Sequence, residues 1–265
     1  MNSFNNRLKK HIAEISSYLC VGLDISPESL GSSSSLSQCI DHSKRVIDAT
    51  IDLIAAFKPN FAFFERWGSA GFKWLENTMN YINTRTLTIA DGKRGDIGNT
   101  AEQYAKSIFN HFGFDAVTVN PYMGEDAIIP FTKLPEKGAF ILCRTSNSSS
   151  EEFQNRLNGH HHVFELVAKK AVQLNSMNNV GLVIGATVPD EINQIRQHAP
   201  GLPFLIPGVG AQGGDLEKSV LYGNENGIAL ISISRGIIFS GDKTEKAIRS
   251  AAKEYRDKML EYIHG

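Results

Sequence analysis

The stretch Leu-Thr-Ile-Ala-Asp-Gly-Lys-Arg-Gly-Asp-Ile-Gly-Asn-Thr, residues 87–100, decides the fold. Its first four residues, Leu87–Ala90, are apolar or β-branched and predict a strand that is buried on both faces. Asp91, Lys93 and Asp96 follow immediately, where charges are costly unless they are solvated or paired. Alternating residues of an extended segment bring Asp91 and Lys93 to the same face. The segment therefore predicts a strand end that carries chemistry rather than a salt-bridged turn.

The same alternation of short apolar runs and longer amphipathic stretches extends over the whole chain. We predict strands over Tyr18–Leu23, Ala55–Phe61, Leu87–Ala90, Ala116–Val119, Ala139–Cys143, Val180–Ala186, Phe204–Pro207 and Ile228–Ile233. We predict helices over His42–Ile54, Thr100–Phe112, Glu151–Leu174, Pro189–His198, Asp215–Tyr222 and Asp242–Ile263, with Asn99 or Thr100 as the N-cap of the second.

Strands that alternate with helices indicate parallel βα units with right-handed crossovers. Eight strands in 265 residues match the α/β class and, within it, a (β/α)₈ TIM barrel. A doubly wound open sheet is the alternative, but no Gly-x-Gly-x-x-Gly follows the first strand, where a dinucleotide site would be expected. We expect a single barrel domain over residues 1–265. A helix at about residues 3–17, with Leu8, Ile12 and Ile15 on one side, should cover the barrel.

Composition excludes several classes of partner. The formal net charge is −1, which gives no electrostatic reason to expect nucleic acid or an acidic membrane. No window approaches the 18 or so apolar residues of a membrane span, and the N-terminus lacks the apolar region of a signal peptide. Cys20, Cys39 and Cys143 have no Cys-x-x-Cys spacing, and the first and last lie in apolar runs, as buried thiols do. These features predict a cytoplasmic protein.

Two serine-rich stretches, Gly31–Ser37 and Ser146–Ser150, are interpreted as loops, the first as surface filler. His160–His162 is a run of three consecutive histidines, which cannot share one face of a helix, so we do not expect a metal site there.

The active site of such a barrel lies at the carboxyl ends of its strands. Residues that follow the predicted strands are Asp24, Lys58, the group Asp91, Lys93 and Asp96, the run Arg144-Thr145-Ser146-Asn147, the turn Gly208–Asp215, and Ser234-Arg235-Gly236. The glycine-rich turn lets backbone N–H groups approach an anion ahead of a helix, and Arg235 adds a fork of donors suited to phosphate. We therefore predict a phosphate site after strands seven and eight.

Lys58 lies in an apolar strand, so its side chain should point into a cleft. Together with Asp91, Lys93 and Asp96 it gives two ammoniums and two carboxylates, which form a charge-balanced array. Such an array can hold a charge that is useful chiefly in a transition state.

These residues together resemble the orotidine 5′-monophosphate decarboxylase family. The resemblance rests on Asp91-x-Lys93-x-x-Asp96, on Lys58 one strand earlier, on Gly208-Val-Gly-Ala-Gln-Gly-Gly214 and on Ser-Arg235-Gly, in the right strand order. The form Asp-Gly-Lys-Arg-Gly-Asp-Ile-Gly-Asn-Thr-Ala is similar to one bacterial branch. The chain departs from the pattern in lacking a proline near Ser148.

The resemblance implies conversion of orotidine 5′-monophosphate (OMP) to UMP and CO₂ in pyrimidine biosynthesis, without a metal or organic cofactor. Lys93 would protonate the C6 carbanion, Asp91 would lie against the departing carboxylate, and Lys58 and Asp96 would complete the catalytic array. The implied substrate-binding residues are Asp24 and Thr100 for the ribose, Ser146 for the pyrimidine, and Gly210, Gln212 and Arg235 for the phosphate. It also implies a homodimer in which Asp96 and Thr100 reach across the interface.

Two other interpretations stay open at this point. A metal-dependent keto-hexulonate-phosphate decarboxylase or hexulose-phosphate synthase of the same suprafamily would place Mg²⁺ on acids near these strand ends, but Lys58 stands where such an acid would be useful. A barrel that only binds phosphate ligands is the other, and buried charges without a task argue against it.

Overall fold

The computed structural model describes residues 3–31, 33–210 and 213–265. Within them, eight parallel strands close into a barrel, as predicted. They are β1 Leu19–Gly22, β2 Ala56–Lys58, β3 Leu87–Arg94, β4 Ala116–Val119, β5 Gly138–Arg144, β6 Val180–Ile184, β7 Phe204–Pro207 and β8 Ala229–Ile233. Each strand pairs with its neighbours in chain order, and β8 closes the barrel against β1.

The helices surround the strands. They are α1 Phe4–Ile15, α2 Pro27–Leu30, α3 Leu36–Thr50, α4 Phe61–Glu65, α5 Gly68–Ile82, α6 Gly98–Lys106, α7 Ile129–Thr132, α8 Val163–Leu174, α9 Pro189–His198, α10 Leu216–Asn224, α11 Arg235–Ile238 and α12 Glu245–His264. The prediction for Pro189–His198 has the right bounds, and α6 continues as a π-helical turn over Ser107–His111.

Successive residues of a strand face opposite sides, and this alternation divides the core into two apolar clusters. In β3, Leu87 and Ile89 point into the barrel, whereas Ala90 packs outward against the helices. The inner cluster fills the amino-terminal half of the barrel with side chains such as Cys20, Phe140 and Leu230. The carboxyl-terminal half of the interior is therefore left for polar side chains.

Helix α1 lies over the amino-terminal end of the barrel. Phe4, Leu8 and Ile12, spaced at one helical turn, are buried in the inner cluster, and the Phe4 ring meets Phe140 edge to face at 5.9 Å. Ser3 caps the helix by accepting a hydrogen bond from the Asn6 N–H. The extent of a single domain over residues 1–265 stays a prediction.

The predicted helix over Glu151–Leu174 is wrong in its first half. Ser148–Glu152 is a 3₁₀ turn, and a small antiparallel hairpin pairs Leu157–Asn158 with His161–His162. Gly159 adopts φ +65° in the hairpin turn, a conformation that favours glycine and ends any helical run. Helix α8 begins only at Val163.

Other boundaries also differ from the sequence predictions. Neither Asn99 nor Thr100 caps α6, because the helix begins at Gly98 and Ile97 occupies the cap position without a side-chain bond. The first serine-rich stretch, Gly31–Ser37, is not all loop. Ser35 and Gln38 form a reciprocal capping box that starts α3 at Leu36, before the predicted His42. Helices α4 and α5 were not predicted.

The three cysteines are buried free thiols, and burial raises the pKa of Cys20 to about 12. None of the helices in the described ranges is both long enough and apolar enough to cross a membrane.

Candidate active site

A cavity of about 410 Å³ opens at the carboxyl ends of the barrel strands. Leu142, Val183 and Leu205 make its apolar floor. Six of the predicted site residues line it, and these are Asp24, Lys58, Asp91, Lys93, Ser146 and Arg235. The topology therefore gathers side chains from both halves of the chain around one space.

Asp91 is the centre of the charged group. Its Oδ2 lies 2.6 Å from the Lys58 Nζ, and its Oδ1 lies 2.5 Å from the Lys93 Nζ. The side chains of Lys58 and Asp91 are 6% and 10% exposed, whereas that of Lys93 is 52% exposed and faces the open cavity. Lys93 is thus the ammonium that a ligand can reach.

The charges of this group stabilise one another. Burial disfavours the ionised form of Asp91, but Lys58 and Lys93 outweigh it and hold the pKa of that carboxyl well below its usual range. Burial likewise disfavours the Lys58 ammonium, yet Asp91 and Asp24 raise the pKa of that lysine above its ordinary value. Both groups stay ionised across the neutral range.

A β-bulge produces this arrangement. Between the aligned pairs Ala90–Val117 and Arg94–Val119, three residues of β3 oppose the single residue Thr118 of β4. Lys93 adopts φ +44°, which is strained for a side chain with a Cβ. The predicted meeting of Asp91 and Lys93 is correct, but β3 extends beyond the predicted Ala90, and the bulge rather than regular alternation brings them together.

Asp24 follows β1 at the edge of the cavity. Its Oδ1 is buried and has no hydrogen-bond partner among residues 3–31, 33–210 and 213–265. A buried carboxylate oxygen without a donor is uncommon in folded proteins, so this atom suggests a place for a ligand's hydroxyl.

The opposite side of the cavity is built from the loops after β7 and β8. Gly208 and Val209 line it, and a Gly214 N–H donates to the Gly208 carbonyl at 3.1 Å to close the glycine-rich turn. Gly210 lies in the exposed part of this turn, and Gln212 is outside the described residues. Arg235 is exposed at the start of α11 and forms no ion pair within the described ranges.

The loop after β5 is held by a buried arginine. Arg144, 1% exposed, pairs with Glu191 of α9 and also bonds the Ser150 hydroxyl, so Ser150 anchors the loop. Ser146 lines the cavity, and a Cβ at Gly185 would lie 2.8 Å from the Ser146 backbone. Gly185 is therefore required for this close approach of the loop.

Asp96 and Thr100 do not join the cavity lining in the described part of the chain. The Asp96 carboxylate accepts a hydrogen bond from the Ile97 N–H at 2.8 Å, and Thr100 is exposed on α6. The folding of one chain brings together three members of the predicted four-charge array.

The polar cavity residues that escaped the sequence analysis are Ser232 of β8, Thr118 and Asn60. Thr118 is a polar residue at an inward position of an otherwise apolar strand, and Asn60 follows Lys58 by two positions. Thr118 and Asn60 can both be found by following the alternation of inward and outward residues to the carboxyl end of each strand.

Glu65, the acid nearest to Lys58 in sequence, pairs instead with Arg94 at 2.8 Å outside the cavity. No group of three His, Cys, Asp or Glu side chains in the described ranges is placed to hold a metal ion, and this includes His161 and His162 of the hairpin.

Comparisons with known proteins agree on one family. The model of the Orotidine 5'-phosphate decarboxylase / HUMPS family matches residues 17–250. An orotidine 5′-phosphate decarboxylase of Dehalococcoides mccartyi is 42% identical over 267 residues, covering 98% of each chain, and that of Natronomonas pharaonis is 42% identical over 273 residues, covering 97% of this chain and 98% of the relative. These similarities do not assign the chain to one branch of the family, so the bacterial branch stays a prediction.

Solved structures give the same result. The structure of Leishmania donovani OMP decarboxylase superposes with a TM-score of 0.88 at 36% identity, covering 99% of this chain and all of the other. A Toxoplasma gondii structure named as a putative orotidine-monophosphate decarboxylase has a TM-score of 0.90 at 33% identity and covers 98% of this chain and 96% of its own. The chain therefore belongs to the orotidine 5′-phosphate decarboxylase / HUMPS family.

Proposed function

We propose that the chain decarboxylates OMP to UMP and CO₂, with Lys93 as the proton donor. Near-full-length similarity to named orotidine 5′-phosphate decarboxylases makes it a carboxy-lyase of pyrimidine biosynthesis. The observation that supports the mechanism best is Asp91 held between a buried and an accessible ammonium on the wall of one cavity.

In the proposed reaction the bond between C6 and the carboxylate breaks, CO₂ leaves, and its electron pair remains on C6. The ring delocalises this pair poorly, so the fixed ammonium of Lys93 stabilises the developing charge and then transfers a proton to C6. Solvent restores the proton to Lys93. The strained backbone at Lys93 and its ion pair with Asp91 hold the ammonium in place before the substrate arrives.

Asp91 has a second role in this proposal. Its carboxylate would lie against the carboxylate of OMP, which disfavours the bound ground state relative to a transition state that has lost that charge. Lys58 keeps Asp91 ionised for this purpose, because it holds the other carboxylate oxygen at 2.6 Å.

The remaining groups bind the parts of OMP that do not react. The unpartnered Oδ1 of Asp24 would accept a hydrogen bond from a ribose hydroxyl, and Ser146 would contact the pyrimidine. Arg235, the Gly210 turn and Gln212 would bind the phosphate. Binding energy gained there can be used to exclude water and orient C6.

The test follows ultraviolet absorbance when the purified protein meets OMP, with and without EDTA. We expect conversion to UMP that EDTA does not change and that Lys93→Ala lowers by about 10⁴-fold, at the upper end for a lost general acid. No conversion by the wild-type protein would contradict the proposal. Loss of OMP turnover in EDTA would contradict decarboxylation without a metal. Metal-dependent turnover of a keto-sugar phosphate would favour the sister enzymes, although both oxygens of Asp91 already bind ammoniums.

We also propose a homodimer whose sites share residues. Asp96 and Thr100 lie outside the cavity of their own chain, so a second copy must supply them if they contact OMP. Exposed apolar side chains follow β3 and β4. They are Ile97 and Tyr104 at α6, and Tyr122, Met123 and Ile129 on the adjoining segment after β4. A patch of this kind beside an incomplete site is typical of a subunit interface.

Mixing two inactive variants tests the shared site. In a hybrid of Lys93→Ala and Asp96→Asn subunits, one site has both mutations and the other has neither. Statistical mixing should then restore about a quarter of wild-type activity, because half of the dimers are hybrids with one intact site each. A mixture no more active than either variant by itself would argue against sites shared between subunits.

A further inference from the structure

The β-bulge requires a hydrogen-bond acceptor for the Lys93 backbone N–H. Regular pairing of β3 with β4 is interrupted between Ala90 and Arg94, so no residue of β4 is aligned in register with Lys93. A buried N–H without an acceptor is costly, and Lys93 also carries the strain of φ +44°. Something must hold this peptide in its unusual conformation.

The hydroxyl of Thr118 is this acceptor. Thr118 is 1% exposed and is the one residue of β4 that faces the bulge. Its Oγ1 accepts the Lys93 N–H at 2.9 Å and donates to the Asp91 Oδ1 at 3.3 Å. The Lys93 Nζ bonds the same Oδ1 at 2.5 Å. Backbone N–H, hydroxyl, carboxylate and ammonium therefore form a closed ring that begins and ends on Lys93.

The neighbours of Thr118 show that the hydroxyl is not required for packing. Val117 and Val119, on the outward side of β4, belong to the apolar cluster beneath the helices. Ala116, the other inward residue, belongs to the apolar filling of the barrel. A valine at 118 would fit the pattern of the strand, so the polar side chain is explained by the two bonds it makes.

We propose that Thr118 is a positioning residue, whose hydroxyl fixes the Lys93 peptide and the Asp91 carboxylate in the geometry for proton transfer. This inference rests on the proposed function, because it assigns the reacting proton to Lys93. Thr118 acts through Lys93 and Asp91 and needs no contact with the reacting carbon.

The experiment compares Thr118→Val, which keeps the shape and removes the hydroxyl, with Thr118→Ser, which keeps the hydroxyl. For OMP we expect Thr118→Val to lower kcat by about 10- to 100-fold, the loss typical of a misplaced catalytic group, with KM within about twofold of wild type. Thr118→Ser should restore most of kcat. Amide hydrogen exchange at Lys93 should be faster in the valine variant and near wild type in the serine variant.

Thr50→Val is a matched control, because Thr50 is a buried threonine of α3 whose hydroxyl bonds the Val46 carbonyl. It should leave kcat unchanged. If Thr118→Val does not fold, Thr118→Ser against Thr118→Ala makes the same comparison. Wild-type kcat in Thr118→Val, or equal losses in the valine and serine variants, would overturn the inference. Absence of turnover by the wild-type protein would instead refute the proposed function, and this role with it.

Discussion

The two ends of the barrel interior differ in the polarity of their side chains. At the amino-terminal end, Phe4, Leu8 and Ile12 of α1 meet inward side chains such as Ile89 and Phe140, all apolar and buried. At the carboxyl-terminal end, the same strands present Lys58, Asp91 and Thr118. The change occurs within two residues of β3, from Ile89 to Asp91.

This difference separates the residues that stabilise the fold from those to which the proposed chemistry is assigned. Apolar burial at the closed end stabilises the folded state in proportion to area. The charges at the open end must first be desolvated, and their attraction offsets that cost without a large net gain. Strain at Lys93 lies at the same end, which is where proteins concentrate it.

Among the variants that test this comparison, Asp91→Asn should have the largest effect, because it should lower both OMP turnover and stability. Without the carboxylate charge, OMP turnover should fall by about 10³-fold or more, since the array loses its charge complementarity. Lys58 would remain buried without its nearest counter-charge, which should lower the free energy of unfolding by about 3 kcal/mol. Steady-state kinetics and urea unfolding measure the two effects.

Asp52→Asn is the matched control for Asp91→Asn. Asp52 pairs with Arg249 at 2.7 Å but is 57% exposed. Its loss should cost below about 1 kcal/mol and leave turnover unchanged. Equal destabilisation by the two variants would mean that burial of the Asp91 pair has no special energetic role.

The stability difference between wild type and Asp91→Asn should also depend on pH. The pKa of Asp91 is lowered in the folded protein, so its carboxylate stabilises the fold above the unfolded-state pKa of about 3.9. That contribution is lost as pH falls further through the lowered folded-state pKa. Urea unfolding should therefore show a constant difference above about pH 5 and a shrinking one below about pH 4. A difference that grows on acidification would contradict the low pKa.

At the closed end, Phe4→Ala should lower the free energy of unfolding by about 3 kcal/mol, because it removes a buried ring that packs on Phe140. At a temperature where the variant is folded, kcat should be unchanged. Phe153→Ala, the same deletion at a side chain that is 66% exposed, should cost below about 1 kcal/mol. A large loss of kcat in folded Phe4→Ala would show that the two ends are coupled.

Sequence periodicity predicted the barrel well, because strands buried on both faces are short apolar runs that vary little in form. Ala116–Val119 and Phe204–Pro207 were found with their bounds. It failed between Glu151 and His162, where a hairpin interrupts a stretch with helical composition. Pairing of Leu157 with His162 is a tertiary outcome that propensity does not encode.

The candidate site was predictable as a set of residues but not as a geometry. Residues after apolar runs identify Asp24, Lys58, Asp91 and Arg235, since all carboxyl ends of the strands meet at one rim. The bulge opposite Thr118 depends on the register between β3 and β4, which only the closed barrel fixes. Asp96 lies outside the cavity formed by the described residues, so its proposed role depends on the proposed second subunit.

The smallest effect is expected for a helix cap outside the cavity, which should change stability and not turnover. Ser35 lies in the loop region after β1 and was interpreted as filler, yet its hydroxyl accepts the Gln38 N–H at 3.3 Å in the capping box of α3. Ser35→Ala should lower the free energy of unfolding by about 1 kcal/mol and leave kcat unchanged. Ser37→Ala, at an exposed helical position two residues later, should be neutral or slightly stabilising, because alanine is the better helix former. If the two variants unfolded alike, the capping box would have no measurable role, and the serine-rich stretch would be filler after all.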